Sequence, residues 1–150
     1  MDLTVIVPTF NEGPNVAELL RRLGVALDDR DVEVLFVDDS TDDTPDIIRV
    51  VAASADLPVR LIHRDDPVAG LGGAVLEGLR AAESRWCLVM DGDLQHPPED
   101  IPRMLDRAAM GDVDIVVASR YVAGGTAGRR AYSLPTGPSG ASPAGTQGMV

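Results

Sequence analysis

The regular alternation of short apolar runs with helical patterns is the feature that most constrains how this chain folds. Apolar runs typical of buried strands occupy residues 4–7, 32–37, 59–62, 86–90 and 115–118. Between them, apolar residues spaced as on one face of a helix predict helices that begin near residues 14, 44, 70 and 98. Strands that alternate with helices predict an α/β domain with a mostly parallel, Rossmann-like sheet flanked by helices.

The composition of the chain changes at Gly124. From there to the end, Gly, Pro and Ser accumulate and no apolar periodicity remains. Such a segment buries too little surface to offset the entropy lost on ordering. We therefore expect one domain over residues 1–123 and a disordered Gly/Pro/Ser-rich tail over residues 124–150.

The formal net charge of -11 limits the partners of this chain. A field of that sign repels nucleic-acid phosphates and anionic lipid headgroups, so no nucleic-acid partner is expected. An anionic substrate would need a local device such as a metal ion, a helix N-terminus or a well-placed Arg. No apolar stretch approaches the roughly 18 residues that cross a bilayer.

Polar segments follow three of the predicted strands, at residues 8–12, 38–43 and 91–96. In an open parallel sheet, ligands bind beyond the carboxyl ends of the strands. Carboxylates from these segments should therefore converge on one crevice. That concentration of charge is costly unless a cation or hydrogen-bond donors occupy the crevice.

Asp91, Asp93 and Gln95 are the sharpest candidates for a metal site. Residues i and i+2 of an extended segment face the same way, so both carboxylates can reach one ion. Oxygen ligands without His or Cys suit Mg²⁺ or Mn²⁺. The alternative is a turn built on Asp-Gly, and the short motif alone leaves both interpretations open.

Other polar residues at the strand ends also have two interpretations. Asp38 and Asp39 could accept hydrogen bonds from a ribose or base, or could simply form a polar turn and helix cap. Arg120 could pair with a phosphate, or with one of the many surface carboxylates. Gly72 lies in a Gly-rich stretch that could let the backbone approach a ligand.

The Gly-rich stretch at residues 70–73 is not a dinucleotide-binding fingerprint, because Val75 stands where the third Gly belongs. This argues against a nicotinamide-dependent dehydrogenase. The chain also contains no Gly-Lys-Ser or Gly-Lys-Thr sequence, which excludes a P-loop kinase.

Five segments taken together are more specific than any one of them: residues 7–12 (VPTFNE), 37–44 (VDDSTDDT), 70–74 (GLGGA), 90–98 (MDGDLQHPP) and 119–121 (SRY). In this order they resemble the family 2 glycosyltransferases of GT-A fold. More narrowly, the chain resembles the dolichol- or polyprenol-phosphate mannose synthases. The resemblance covers roughly residues 3–125.

The resemblance implies a set of site residues. The donor nucleotide-sugar, a GDP-sugar with mannose favoured, would be bound by Pro8, Phe10, Glu12, Asp38, Asp39, Gly72 and Asp91. A Mg²⁺ or Mn²⁺ ion on the diphosphate would be held by Asp91, Asp93 and Gln95. The catalytic residues would be Asp91, Asp93 and Arg120, with Arg120 at a phosphate.

The resemblance also implies a reaction and a location. The sugar would pass with inversion to the phosphate oxygen of a polyprenyl or dolichyl phosphate. The protein would be cytoplasmic and peripheral at the cytoplasmic face of the membrane. It would be held there by the lipid substrate or by a separate membrane subunit.

One departure from the family leaves alternatives open. Family members continue past the Ser-Arg-Tyr segment with helices that help to form the acceptor site, so we expect this chain to be truncated. A non-catalytic fragment that binds a nucleotide-sugar is then one alternative. A sugar nucleotidyltransferase is another alternative. Such an enzyme would need a Gly-rich, basic loop after the first strand, which residues 8–12 do not provide.

Overall fold

Four parallel strands form the sheet of this protein, whose residues 1–119 are described by a computed structural model. In the order β3-β2-β1-β4, the strands are β1 (Leu3–Thr9), β2 (Val32–Asp38), β3 (Val59–His63) and β4 (Trp86–Val89). The sheet lies in a compact unit, Met1–Pro102, and a second unit begins at Arg103. The chain builds outward from β1 to β3 and then returns to place β4 on the other side of β1. All four strands therefore end at the same edge of the sheet, and the strand order reverses beside β1.

The helices begin close to the predicted residues. They are α1 (Gly13–Ala26), α2 (Thr44–Ala52), α3 (Gly70–Ala81) and α4 (Ile101–Ala109). Pro lies in the first turn of α1 and of α2, where the missing backbone N–H costs no hydrogen bond. A 3-10 turn over Pro98–Asp100 precedes α4, whereas the sequence predicted one continuous helix from residue 98.

The two central strands carry the core. Every residue of β1 and β2 is buried, as expected for parallel strands covered on both faces. Helix α3 packs on β1 and β2, where Ala74 joins a cluster of Ile6, Leu35 and Val37. Helix α1 buries its apolar stripe and packs against α2.

The predicted fifth strand is wrong. Residues 115–118 form no strand, and Ile115 and Val117 expose 72% and 61% of their surface. A strand persists when its backbone N–H and C=O groups bond to a neighbouring strand, and no strand among residues 1–119 pairs with this segment. An apolar run alone does not specify such a partner.

Some expectations fall outside the structural description. Residue Arg120, the domain boundary at residue 123 and the tail over residues 124–150 all lie beyond the described residues. Within residues 1–119, every helix is too short or too polar to cross a bilayer.

Candidate functional site

A cleft of about 500 Å³ opens at the edge of the sheet where the strands end. The ends of β1 and β2 contribute to its wall, and so do the segments that follow β3 and β4. Its lining consists of Pro8, Thr9, Phe10, Glu12, Asp39, Pro67, Gly70, Leu71, Ala74, Asp91 and Asp93. The cleft therefore combines apolar walls with four carboxylates.

Most of the predicted site residues meet in this cleft. Those that line it are Pro8, Phe10, Glu12, Asp39, Asp91 and Asp93. Three others do not line it: Asp38, Gly72 and Gln95. Arg120 lies outside the described residues. The parallel sheet explains the convergence, because it brings segments distant in sequence to one edge.

Glu12 shows how strongly negative the cleft is. Burial raises the pKa of Glu12 to about 7, and repulsion from Asp93, Asp91 and Asp38 adds to the effect. The carboxylate lies so close to Gly92 that a Cβ added there would be 2.5 Å from Glu12 Oε2. A cation would relieve this repulsion, so the charge in the cleft suits a positively charged ligand.

The arrangement fits a divalent ion that shares its coordination with a bound ligand. In the loop after β4, which carries both aspartates, the Gln95 N–H donates to Asp93 Oδ1 at 2.9 Å. The Gln95 side chain is exposed. Within residues 1–119, no group of three or more His, Cys, Asp and Glu side chains is placed to hold a metal ion. An ion bound by Asp91 and Asp93 would therefore need further oxygens, as Mg²⁺ obtains from water and substrate phosphates.

Asp38 does not have the position expected of a donor-binding residue. Its side chain is 0% exposed, and the Thr9 and Ser40 hydroxyls donate to Oδ1 at 2.7 and 2.5 Å. His63 Nδ1 lies 2.8 Å from Asp38 Oδ2. Because Thr9, Asp38 and His63 are partners in the strand register, Asp38 links three strand ends and has no surface left for a ligand.

Side-chain hydrogen bonds join the loop after β1 to the loop after β2. The Asn11 N–H donates to Ser40 Oγ at 2.8 Å, and the Thr41 N–H donates to Asn11 Oδ1 at 3.1 Å. The Gly13 N–H donates to Thr44 Oγ1 at 3.0 Å. These bonds hold the two cleft-forming loops in one arrangement, which reduces the entropy lost on binding.

Strained backbone is concentrated around the cleft. Among the described residues, the non-glycine residues with positive φ are Asn11 at 55°, Ala69 at 62° and Leu94 at 63°. They follow β1, β3 and β4, respectively. Each such conformation costs of order 1–3 kcal/mol and persists where surrounding contacts enforce it, typically at functional sites.

Arg64, which was not among the predicted site residues, contacts the cleft residue Asp39. Arg64 Nε and Nη2 donate to Asp39 Oδ1 and Oδ2 at 2.6 and 2.5 Å. The two side chains are 9% and 11% exposed. No direct signal in the sequence points to this pair, because the register that makes Asp38 and His63 partners, and the residues after them neighbours, is set by the sheet.

The sequence as a whole matches a known family. The protein-family model described as Glycosyl transferase family 2 matches residues 4–145. The chain belongs to glycosyl transferase family 2. This confirms the family resemblance drawn from the five sequence segments.

Curated relatives share most of this chain. A dolichol-phosphate mannosyltransferase of Pyrococcus furiosus is 41% identical, with 83% of this chain and 35% of the relative covered. The Saccharomyces cerevisiae dolichol-phosphate mannosyltransferase is 32% identical, with 83% of this chain and 46% of the relative covered. An undecaprenyl-phosphate 4-deoxy-4-formamido-L-arabinose transferase of Pseudomonas syringae is 34% identical, with 73% of this chain and 33% of the relative covered. The chain thus spans between a third and a half of the length of these relatives.

Solved structures confirm the GT-A fold. A mannosyltransferase from Pyrobaculum calidifontis, in complex with GDP-Man and Mn²⁺, aligns with a TM-score of 0.57 and 34% identity, over 65% of this chain and 29% of that one. Staphylococcus aureus TarS in complex with UDP-GlcNAc aligns with a TM-score of 0.58 and 27% identity, over 75% of this chain and 31% of that one. Solved proteins in complex with different nucleotide-sugars, GDP-Man and UDP-GlcNAc, therefore share this fold.

Proposed function

We propose that this chain carries the donor site of a metal-dependent glycosyltransferase. The enzyme transfers a sugar, with mannose favoured, from a GDP-sugar to a polyprenyl phosphate with inversion. The observation that carries the proposal is the grouping of Glu12, Asp91 and Asp93 in one cleft at the carboxyl edge of a parallel sheet. The curated relatives that act on dolichol phosphate and undecaprenyl phosphate support the choice of acceptor.

The donor nucleotide occupies the cleft with its base against the apolar wall. Phe10 lines the cleft and is 61% exposed, so its ring is available to stack on a base. Asp39 directly follows β2 and lines the cleft, where it can accept a hydrogen bond from the base or ribose. GDP-Man in the Pyrobaculum mannosyltransferase supports guanosine and mannose as the first choice.

The diphosphate lies towards the acidic end of the cleft. Asp91 and Asp93 would hold Mg²⁺ or Mn²⁺ there. Gln95 would join them as a further oxygen donor only if its exposed side chain turned towards the cleft. When bound, the ion neutralises the charge that develops on the leaving diphosphate. The Mn²⁺ of the Pyrobaculum complex supports a divalent ion.

The acceptor needs little help from a general base. A phosphate monoester already carries negative charge near neutral pH, so its oxygen can attack the anomeric carbon directly. The chain contributes by positioning the donor and by neutralising charge. Arg120, which follows the described residues, binds a phosphate in this proposal. The enzyme acts at the cytoplasmic face of the membrane, held by its lipid substrate or by a membrane subunit.

Calorimetric titration of the purified chain with GDP-mannose tests the donor site. Binding is expected with Mn²⁺, and it should be lost with EDTA and in Asp93→Ala. Asp29→Ala is the matched control, because Asp29 is 74% exposed and does not line the cleft. If a folded chain bound GDP-mannose equally well with EDTA, the metal site would be wrong.

Product analysis tests the reaction class. With a polyprenyl phosphate as acceptor, glycosyl transfer releases GDP and forms a lipid-linked sugar. A nucleotidyltransferase would instead release or consume pyrophosphate. Detection of pyrophosphate turnover without a lipid-linked sugar would contradict the proposed reaction.

A further inference from the structure

The segment that connects β3 to α3 forms one wall of the cleft. Pro67, Gly70 and Leu71 line the cleft from this side. Ala69 adopts left-handed backbone at φ 62°, and Val68 and Leu71 are 72% and 63% exposed. Because apolar burial contributes little here, other contacts must hold this wall in place.

Arg64 supplies those contacts. Besides its paired bonds to Asp39, Arg64 Nη1 donates to the Val68 carbonyl at 3.2 Å and Nη2 donates to the Gly70 carbonyl at 2.9 Å. One guanidinium thus connects the end of β2 to two points of the wall. The planar fork of Arg can reach a carboxylate and two carbonyls together, which a Lys ammonium on its flexible stem cannot.

Gly73 allows the same wall to approach the first turn of α3. A Cβ added at Gly73 would lie 2.0 Å from the Val68 carbonyl oxygen and 2.9 Å from Arg64 Nη1. Real Cβ atoms do not come so close to a backbone oxygen, so any side chain at this position would displace the wall. Arg64 therefore bonds to the Val68 carbonyl, and Gly73 leaves the space that this carbonyl occupies.

We propose that Arg64 is a positioning residue that determines donor affinity by holding this wall against the nucleotide. This proposal rests on the proposed function, because it takes the nucleotide-sugar as the ligand of the cleft. Arg64 acts through Asp39 and through the carbonyls of the wall, and its hydrogen bonds among the described residues do not involve the proposed metal loop after β4. Loss of Arg64 should therefore weaken nucleotide binding without weakening binding of the free ion.

The test compares Arg64→Lys, Arg64→Gln and Gly73→Ala with the control Arg49→Gln. Arg49 pairs with Asp46 on the surface of α2, and both side chains are more than half exposed. We expect the Kd for GDP in the presence of Mn²⁺ to rise on the order of 10- to 100-fold in the first three variants. Arg49→Gln should leave that Kd unchanged. Arg64→Lys should not restore affinity, although it keeps the charge.

Two further measurements separate positioning from general loss of structure. The Kd for Mn²⁺ alone should be the same in wild type and in Arg64→Gln. Hydrogen exchange should become faster in residues 65–71 of Arg64→Gln and remain unchanged in β1 and β2. A uniform rise in exchange across the sheet, or a weaker Kd for Mn²⁺ alone, would overturn the positioning role.

The outcomes also distinguish this proposal from the proposed function. A folded wild-type chain that bound no nucleotide would sink the proposed function, and the role of Arg64 with it. If the wild-type chain bound GDP and the variants Arg64→Lys, Arg64→Gln and Gly73→Ala bound it with the same Kd, only the role of Arg64 would be overturned. Weaker binding in those variants, with Arg49→Gln unchanged, would support both.

Discussion

The Glu12 carboxylate lies against the backbone of Gly92, the residue between the two aspartates of the proposed metal loop. A Cβ on Gly92 would be 2.5 Å from Glu12 Oε2 and 3.3 Å from Thr9 Cγ2. The absence of a side chain at position 92 therefore lets a third carboxylate approach the Asp-Gly-Asp loop. This contact joins the end of β1 to the loop after β4.

Gly92→Ala should displace the Glu12 carboxylate and weaken metal-dependent GDP binding by about tenfold or more. The melting temperature should change little, because the displaced atom is the end of a flexible side chain. Calorimetry with Mn²⁺ and a thermal melt check both expectations. Unchanged GDP affinity in a folded Gly92→Ala protein would show that the position of Glu12 does not matter for binding.

The raised pKa of Glu12 predicts a pH-dependent stability. The folded chain keeps this proton up to about pH 7, whereas the unfolded chain releases it near 4.5. Between these values the folded state binds more protons, so the contribution of Glu12 to the free energy of unfolding falls as pH rises from 4.5 to 7. Above about pH 7 that loss is complete.

Glu12→Gln isolates this effect, because it keeps the shape of the side chain and cannot titrate. Urea unfolding of both proteins in EDTA at pH 5 and pH 8 should show a larger decline in wild type. Addition of Mn²⁺ should stabilise wild type more at pH 8 than at pH 5, since the ion competes with the proton. Parallel pH dependences of the two proteins would contradict the raised pKa.

Asp38→Asn should destabilise the fold by about 2–3 kcal/mol, because the buried carboxylate accepts several hydrogen bonds and an amide NH₂ in the place of Oδ2 cannot accept from the Ser40 N–H. The affected partners are Thr9, Ser40 and His63. Asp29→Asn is the control, and its exposed side chain should make it neutral within about 0.5 kcal/mol. Equal stabilities of Asp38→Asn and wild type in urea unfolding would contradict the central role of Asp38.

Two helical glycines offer a matched pair of substitutions with opposite expected signs. A Cβ on Gly78 would be 2.5 Å from Ile6 Cγ2, so Gly78→Ala should cost about 1–3 kcal/mol by overpacking the contact of α3 with β1. A Cβ on Gly24 meets nothing within 4 Å, so Gly24→Ala should stabilise α1 by about 0.5–1 kcal/mol. Thermal melts of both variants decide the signs, and a stabilised Gly78→Ala would contradict the close packing.

Local patterns predicted most elements of the fold, because each pattern reflects an interaction made within a few residues. The apolar runs of β1 and β2 predict complete burial, and the Pro residues near the starts of α1 and α2 mark helix beginnings. The run at residues 115–118 failed as a predictor, since a strand also requires a partner that the run itself does not encode.

The site was predictable only at the level of segments. Parallel strands bring their carboxyl ends to one edge, so the convergence of residues 8–12, 38–43 and 91–96 follows from the order of the elements. The sequence does not distinguish Asp38 from Asp39, since either could point to the cleft. In the structure, Asp38 is 0% exposed, whereas Asp39 lines the cleft and pairs with Arg64.

The sequence by itself determined the family, the alternation of strands and helices, and the acidic character of the strand ends. These follow from motifs and from periodicities that act over short stretches of chain. Only the tertiary structure decided that Asp38 is a buried link, that Glu12 lies against Gly92, and that Arg64 holds a wall of the cleft. Each of these relations includes a contact between residues at least 25 positions apart, such as Asp38 with His63 or Asp39 with Arg64, so it depends on the sheet register and on packing across the fold.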